Sequence, residues 1–248
     1  MIQVKLYFKF THFLSNLIFS DAFLDNNKPL CEQSLGESIL FKKRFFINDD
    51  KVIQYSKFSC HLLFCEYTER VVNNHYFVEQ NEAIEFASLH LQVTYGPYQA
   101  EKEKLFDFKN FAPEPYRTEN CKQLVIKSWE SLGEMIGDDA QYKYLHLCQK
   151  LKYFGSTFYQ ALDIERNENI LFGISKNQFF LLNLENKSEI ENLALMSVKK
   201  FNKLENQLRI EFGPSRNTLQ LQSENVSEMF SLISGYLEFL IIKENYID

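Results

Sequence analysis

Arg209-Ile210-Glu211-Phe212 and Thr218-Leu219-Gln220-Leu221-Gln222, joined through a hairpin-like stretch at Gly213-Pro214, decide the fold of this chain. Each alternates apolar and polar side chains, as the two faces of a strand require. Residues 227–242 then change the hydrophobic period from two to about 3.6. Met229, Phe230, Ile233, Tyr236, Leu237, Leu240 and Ile241 fall along one side of the resulting helix. A small sheet closed by a C-terminal helix binds peptides or lipids and rarely does chemistry, which points to an adaptor.

Reading back toward the N-terminus, Gly155 marks a change of regime. After it come strand-like stretches at 158–164, 170–174, 178–184, 193–198 and 199–202, with turn-like separators at 166–169 and 175–177. Seven short antiparallel strands and a closing helix predict a pleckstrin-homology or phosphotyrosine-binding type β-sandwich. Before Gly155 the period is helical. Residues 51–68, 79–95, 121–135 and 138–153 each carry apolar side chains three and four apart, and the second stops at Gly96-Pro97. Four helices of this size form a bundle. Asp138-Asp139, at the start of the fourth, reads as a helix-capping pair rather than as paired catalytic carboxylates.

The balance of charge excludes some functions. The chain has 248 residues, a formal net charge of -6, 45% hydrophobic and 24% charged side chains, and 24 Phe and 13 Tyr against one Trp. No segment is strongly basic, so a nucleic-acid partner is not expected. Five cysteines without a C-x-x-C pair imply free thiols in a reducing compartment. The histidines His12, His61, His75, His90 and His146 show no metal-ligand spacing, and His61 and His90 read as core or bundle-surface residues. Gly133-x-x-x-Gly137 lacks the lysine of a phosphate-binding loop, while Gly173 and Gly213 read as turn or bulge glycines. The reading is no enzyme, no metal and no cofactor. Met1 to Ser20 is apolar but interrupted by Lys5, Lys9, His12 and Asn16. It lacks the uninterrupted apolar run of about 18 residues that a span needs, and reads as a strand and helix remnant of a preceding domain.

The order of several short segments resembles the second and third lobes of a FERM domain of the talin type. They are Leu40-Phe41-Lys42-Lys43-Arg44-Phe45-Phe46, Glu85-Phe86-Ala87 with Tyr95-Gly96-Pro97, Phe108-Lys109-Asn110-Phe111-Ala112-Pro113, and Leu151-Lys152-Tyr153-Phe154-Gly155. Leu171-Phe172-Gly173-Ile174-Ser175-Lys176, Val198-Lys199-Lys200-Phe201, Leu208-Arg209-Ile210-Glu211-Phe212-Gly213 and Ile233-Ser234-Gly235-Tyr236-Leu237 complete the series, which covers about residues 23–243. The resemblance implies an α+β chain in three parts. Residues 1–47 would be the remnant of a ubiquitin-like first lobe and its linker. Residues 48–153 would be a helical second lobe, a four-helix bundle like acyl-CoA-binding protein. Residues 154–248 would be the third lobe, the sandwich with its C-terminal helix. On this resemblance most of the first lobe and the rod of talin would be absent, as in a fragment, a shortened relative or an incomplete gene product.

In that family the third lobe takes NPxY-type segments of receptor tails, integrin tails among them, as an added strand. The resemblance therefore implies a cytoskeletal adaptor head in the cytoplasm, peripheral at the inner face of the plasma membrane. The alternative is a divergent scaffold or regulatory fragment with a different peptide and little lipid activation. The implied peptide-binding residues are Val198, Lys199, Lys200, Phe201 and Asn202 on the strand edge, with Ile233 and Tyr236 on the last helix. Phe201 stands where talin has a tryptophan. The implied contacts to an anionic phosphoinositide membrane are Lys102 and Lys104, joined by Lys42, Lys43 and Arg44. Glu101 and Glu103 alternate with the first two, and Glu82 replaces a family lysine, so lipid attraction is expected to be weak. Lys199, Lys200 and Lys203 form the densest basic group of the third lobe, read as attraction to an acidic tail or headgroup, against the plainer reading of a solvated edge that discourages strand pairing. The loop Glu165-Arg166-Asn167-Glu168-Asn169 is shorter and more acidic than its talin counterpart, which weakens the expected grip on a receptor's membrane-proximal helix.

Overall fold

Helix boundaries fall where capping chemistry puts them. In the computed structural model, which describes residues 5–8, 39–42, 56–213 and 218–245, with side chains over 56–213 and 218–240, a short antiparallel pair β1 (Lys5–Phe8) and β2 (Ile39–Lys42) precedes the first helix. The remaining expectations for residues 1–55, and the turn at Pro214, lie outside the described residues. Helix α1 (Lys57–Val72) begins at Ser56, whose hydroxyl accepts from the Ser59 amide at 3.2 Å. It runs a turn beyond the predicted end at Thr68, because Val71 is buried and continues the apolar stripe. Helix α2 (Gln80–Tyr95) starts where the Glu82 carboxylate accepts from the Glu79 amide at 2.8 Å, and Gly96 ends it at φ +74°.

Three short 3-10 turns, at Ala100–Lys104, Phe108–Asn110 and Glu114–Tyr116, then carry the chain to α3 (Glu119–Ser131), capped by Thr118. Helix α4 (Gly137–Lys150) follows. Asp138 and Asp139 lie in its first turn rather than at its N-cap position, and Asp138 pairs with Lys57 at 2.5 Å. They complement the positive end of the helix by charge, not by a capping hydrogen bond. The four helices close over Trp129, Tyr67, Tyr144, Leu89, Leu91 and Leu145. Buried Gln92 fastens the far end. It accepts from Trp129 Nε1 at 2.9 Å and donates to the carbonyls of Gly133 and Met135. Residues 48–154 make one compact unit, and 155–248 fall with 1–47 in another.

The second unit is built on seven antiparallel strands: β3 (Thr157–Asp163), β4 (Glu168–Ile174), β5 (Gln178–Asn183), β6 (Glu189–Ala194), β7 (Val198–Leu204), β8 (Gln207–Phe212) and β9 (Thr218–Gln222). Their order in the sheet is β6-β5-β4-β3-β9-β8-β7. The join between β3 and β9 spans only Leu162 with Gln222 and Asp163 with Leu221, so the sheet folds over there. Inner-face side chains from both halves, Ile170, Phe172, Phe179, Ile210 and Leu219 among them, meet Met229, Leu232, Ile233 and Tyr236 of the closing helix α5 (Val226–Asn245).

Two sequence expectations are corrected here. The strand expected at 193–198 lies at Glu189–Ala194, and Leu195–Ser197 form a 3-10 turn. This is an edge strand with only Leu193 buried, so burial left no apolar alternation to read. Gly173 is neither turn nor bulge. It sits inside β4 opposite Phe158, whose ring approaches so closely that it would have to shift to admit a Cβ.

Candidate peptide-binding site

Strand β7 pairs with β8 and lies at the end of the sheet, so among the described residues one row of its backbone amides and carbonyls has no strand partner. Its register slips between Val198 and Lys200, making Lys199 the extra residue of a β-bulge. The bulge explains why Val198 and Phe201, three apart, are both half-buried and packed on the core, while Lys199, Lys200, Asn202 and Lys203 are exposed. Beyond the bulge, alternation returns. Phe201 and Lys203 share the face toward α5, with Ile210 and Leu208 as their cross-strand partners.

Helix α5 runs back along this strand. Lys203 Nζ donates to Ser227 Oγ at 3.2 Å in the first turn, and the Phe201 ring lies 4.9 Å from that of Phe230, one turn further on. The Lys203 ammonium also sits 5.6 Å from the Phe230 ring centre. Open edge, aromatic floor and helix wall therefore adjoin one another, the arrangement that accepts an extended segment by strand addition. Lys199, Lys200 and Lys203 make no ion pair with any described carboxylate. Exposed Met196 and Leu204 flank the edge at its two ends.

The structure brings together five of the seven sequence-predicted peptide residues, Val198, Lys199, Lys200, Phe201 and Asn202, on this one strand. It places Ile233 and Tyr236 elsewhere. They are 0% and 1% exposed and belong to the core beneath the sheet. The helix residues that meet β7 are Ser227 and Phe230, offset around the helix from that pair. Sequence reading had Phe230 in the apolar stripe but not at the site. Ser227 carried no signal beyond its place at the helix start.

The predicted membrane patch is divided. Lys102 is committed internally, its ammonium donating to the carbonyls of Tyr95 at 2.9 Å and Pro97 at 2.8 Å, where α2 ends. Lys104 is exposed. Beside them Tyr98 donates to Glu103 at 2.6 Å, and that hydrogen bond pushes the phenol pKa up to about 12. Lys42 is placed by its backbone at the end of β2, and Lys43 and Arg44 lie outside the described residues. The turn between β3 and β4 is tied down as well. Asp163, 0% exposed, accepts from the Glu165 and Arg166 amides and from Arg166 Nη1 at 2.8 Å. Arg166 Nη2 reaches Glu191 of β6 at 2.6 Å, and the two carboxylates hold the guanidinium pKa above its usual value, Glu191 foremost.

Among the described residues no three His, Cys, Asp or Glu side chains gather as a metal site, and no helix is long and apolar enough to cross a membrane. Cys60, Cys121 and Cys148 are buried cysteines outside any disulfide, and Cys65 is an exposed one. His61 Nδ1 lies 3.4 Å from Gln141 Oε1 on the bundle surface. His90 is flanked by Phe64, Phe111 and Tyr144, its Nδ1 has no hydrogen-bond partner among the described residues, and burial lowers its pKa to about 4.

Residues 50–159 match the family described as FERM central domain, and residues 163–241 match the PTB domain of IRS-1 type. Talin-A of Dictyostelium discoideum is 26% identical over 230 residues, covering 89% of this chain and 9% of the relative. Talin-1 of Gallus gallus is 24% identical over 234 residues, covering 91% of this chain and again 9% of the relative. The chain thus spans about a tenth of the length of these curated relatives. In fold it resembles the FERM domain of Drosophila Merlin in its complex with the C-terminal domain, with a TM-score of 0.73 and 14% identity, over 98% of this chain and 84% of that one. The MyTH4-FERM domain of human myosin 7b aligns with a TM-score of 0.69 and 13% identity, over 82% of this chain and 43% of that one.

Proposed function

Starting from a FERM/PTB-type adaptor module, non-catalytic and related to FERM-domain proteins, we propose that this chain is a talin-like cytoskeletal adaptor head whose β7 edge takes NPxY-type cytoplasmic tails of adhesion receptors at the plasma membrane. The observation that carries the reading is the juxtaposition of an unpaired strand edge with the Phe201–Phe230 aromatic floor. A tail segment laid along β7 gains backbone hydrogen bonds from the edge and selectivity from side chains that enter between strand and helix. Phe201 is half-buried, so it offers a ring face to the ligand while its other side rests on the core.

The commitment of Lys102 to the end of α2 favours a version of this function with weak lipid attraction. Lys104 alone of that pair is free to meet anionic headgroups, and its acidic neighbours offset part of the gain.

An isotope-shift titration of the full chain with an integrin-type NPxY peptide tests the proposal. Saturable shifts are expected along β7 and at Ser227 and Phe230. Phe201→Ala is expected to weaken binding about tenfold, as loss of an aromatic anchor does. Phe201→Leu, which keeps the apolar volume, guards against a folding artefact. Absence of shifts on β7 at millimolar peptide would sink the assignment.

A further inference from the structure

Lys203 is the cation that the groove itself contains. Of the three lysines on β7, it shares the face of Phe201, reaches Ser227 at the start of α5 and lies against the Phe230 ring. No described carboxylate pairs with it, although the chain as a whole is acidic. The first turn of α5, at the same end of the groove, sets the partial positive charge of a helix start beside the carboxylate of Glu228.

We propose that Lys203 is a specificity-determining residue that selects an extended peptide carrying an acidic side chain two positions before the apolar one that packs on Phe201. This rests on strand addition to β7 as the binding mode. The register dictates the spacing. Residues two apart on a strand point to the same face, and cross-strand neighbours stand about 5 Å apart at their Cβ atoms. In an antiparallel added strand, the residue opposite Lys203 precedes the residue opposite Phe201 by two, and both point toward α5. The required ligand pattern is therefore acidic, any residue, then aromatic or aliphatic. Lys200 lies on the opposite face, paired across the sheet with Glu211, and Lys199 is the bulged residue, so neither occupies the groove.

The test uses the isotope-labelled full chain and two synthetic peptides identical except at one position. One carries Glu-Thr-Trp ahead of Asn-Pro-Leu-Tyr, and the other carries Lys-Thr-Trp. Wild-type chain is expected to prefer the first by about threefold to fivefold, the range for a partly exposed ion pair. Lys203→Glu is expected to reverse that order, while Lys127→Glu, an exposed change of equal charge on α3, leaves it in place. Shifts on β7 with equal affinity for both peptides would overturn the role of Lys203 and leave strand addition intact. A preference unchanged in Lys203→Glu would do the same. No shifts on β7 with either peptide would remove the edge reading and this inference together.

Discussion

Phe158 and Gly173 face each other across β3 and β4 so closely that a Cβ on Gly173 would lie 2.5 Å from Phe158 Cε1 and 2.9 Å from Cδ1. The ring covers the bare stretch of strand that the glycine leaves. Gly173→Ala is expected to destabilise the chain by about 1–3 kcal/mol, the usual cost of overpacking. Phe158→Ala removes the obstacle, so the double variant should lose less than the sum of the two single losses. Urea midpoints of the four proteins decide it, and strict additivity would refute the steric account.

Arg166 neutralises a carboxylate that has no exposure of its own. Removing the guanidinium as Arg166→Met takes away the cation that Asp163 and Glu191 share, while the Glu165 and Arg166 amides still donate to Asp163. The expected loss is about 2 kcal/mol, below the full cost of breaking a buried pair because Arg166 is partly solvated. Thermal unfolding measures it. An unchanged midpoint would mean that Asp163 is satisfied without the guanidinium.

His90 makes the bundle sensitive to acid. Its pKa falls from 6.5 to about 4 on folding, so the folded chain binds this proton less readily than the unfolded chain. The associated stability is complete above pH 6.5 and declines as pH falls toward 4, by at most about 3 kcal/mol. His90→Gln cannot take up the proton and should show a shallower decline over that window. Parallel pH series of denaturant midpoints for the two proteins would reveal the difference, and superimposable slopes would exclude the histidine.

Lys102 and Lys104 should separate by assay. Lys102→Ala is expected to lower the unfolding temperature, since the carbonyls of Tyr95 and Pro97 lose their ammonium. Lys104→Ala should leave that temperature unchanged. Its effect belongs to vesicle sedimentation with phosphoinositide-containing membranes, at about 1 kcal/mol or less. A large effect of Lys102→Ala on vesicles without loss of stability would restore it to the membrane patch.

Much of this architecture was legible because local signals agreed. Gly96 and Pro97 ended α2 as expected, the turn residues at 166–169 and 175–177 separated β3, β4 and β5, and the change of period announced α5. What escaped depended on neighbours distant in sequence. Leu232 is core and Phe230 faces β7, a distinction that the apolar stripe of α5 cannot make until the sheet orients the helix. Nothing in the sequence singles out Gln92, yet Trp129 and two loop carbonyls give it a buried role. Lys102 looked free because its acceptors are the helix-end carbonyls that sequence does not display.

The bulge at Lys199 also acts as a ruler. A guest strand added along Lys200–Leu204, as proposed, would meet the slip in register there, where regular pairing is interrupted, so its regular footprint on the edge would be short. A short footprint means few backbone hydrogen bonds per encounter and correspondingly rapid release. Durable attachment through such an edge would come from many tails and many heads gathered on one surface, each letting go and rebinding while its neighbours hold.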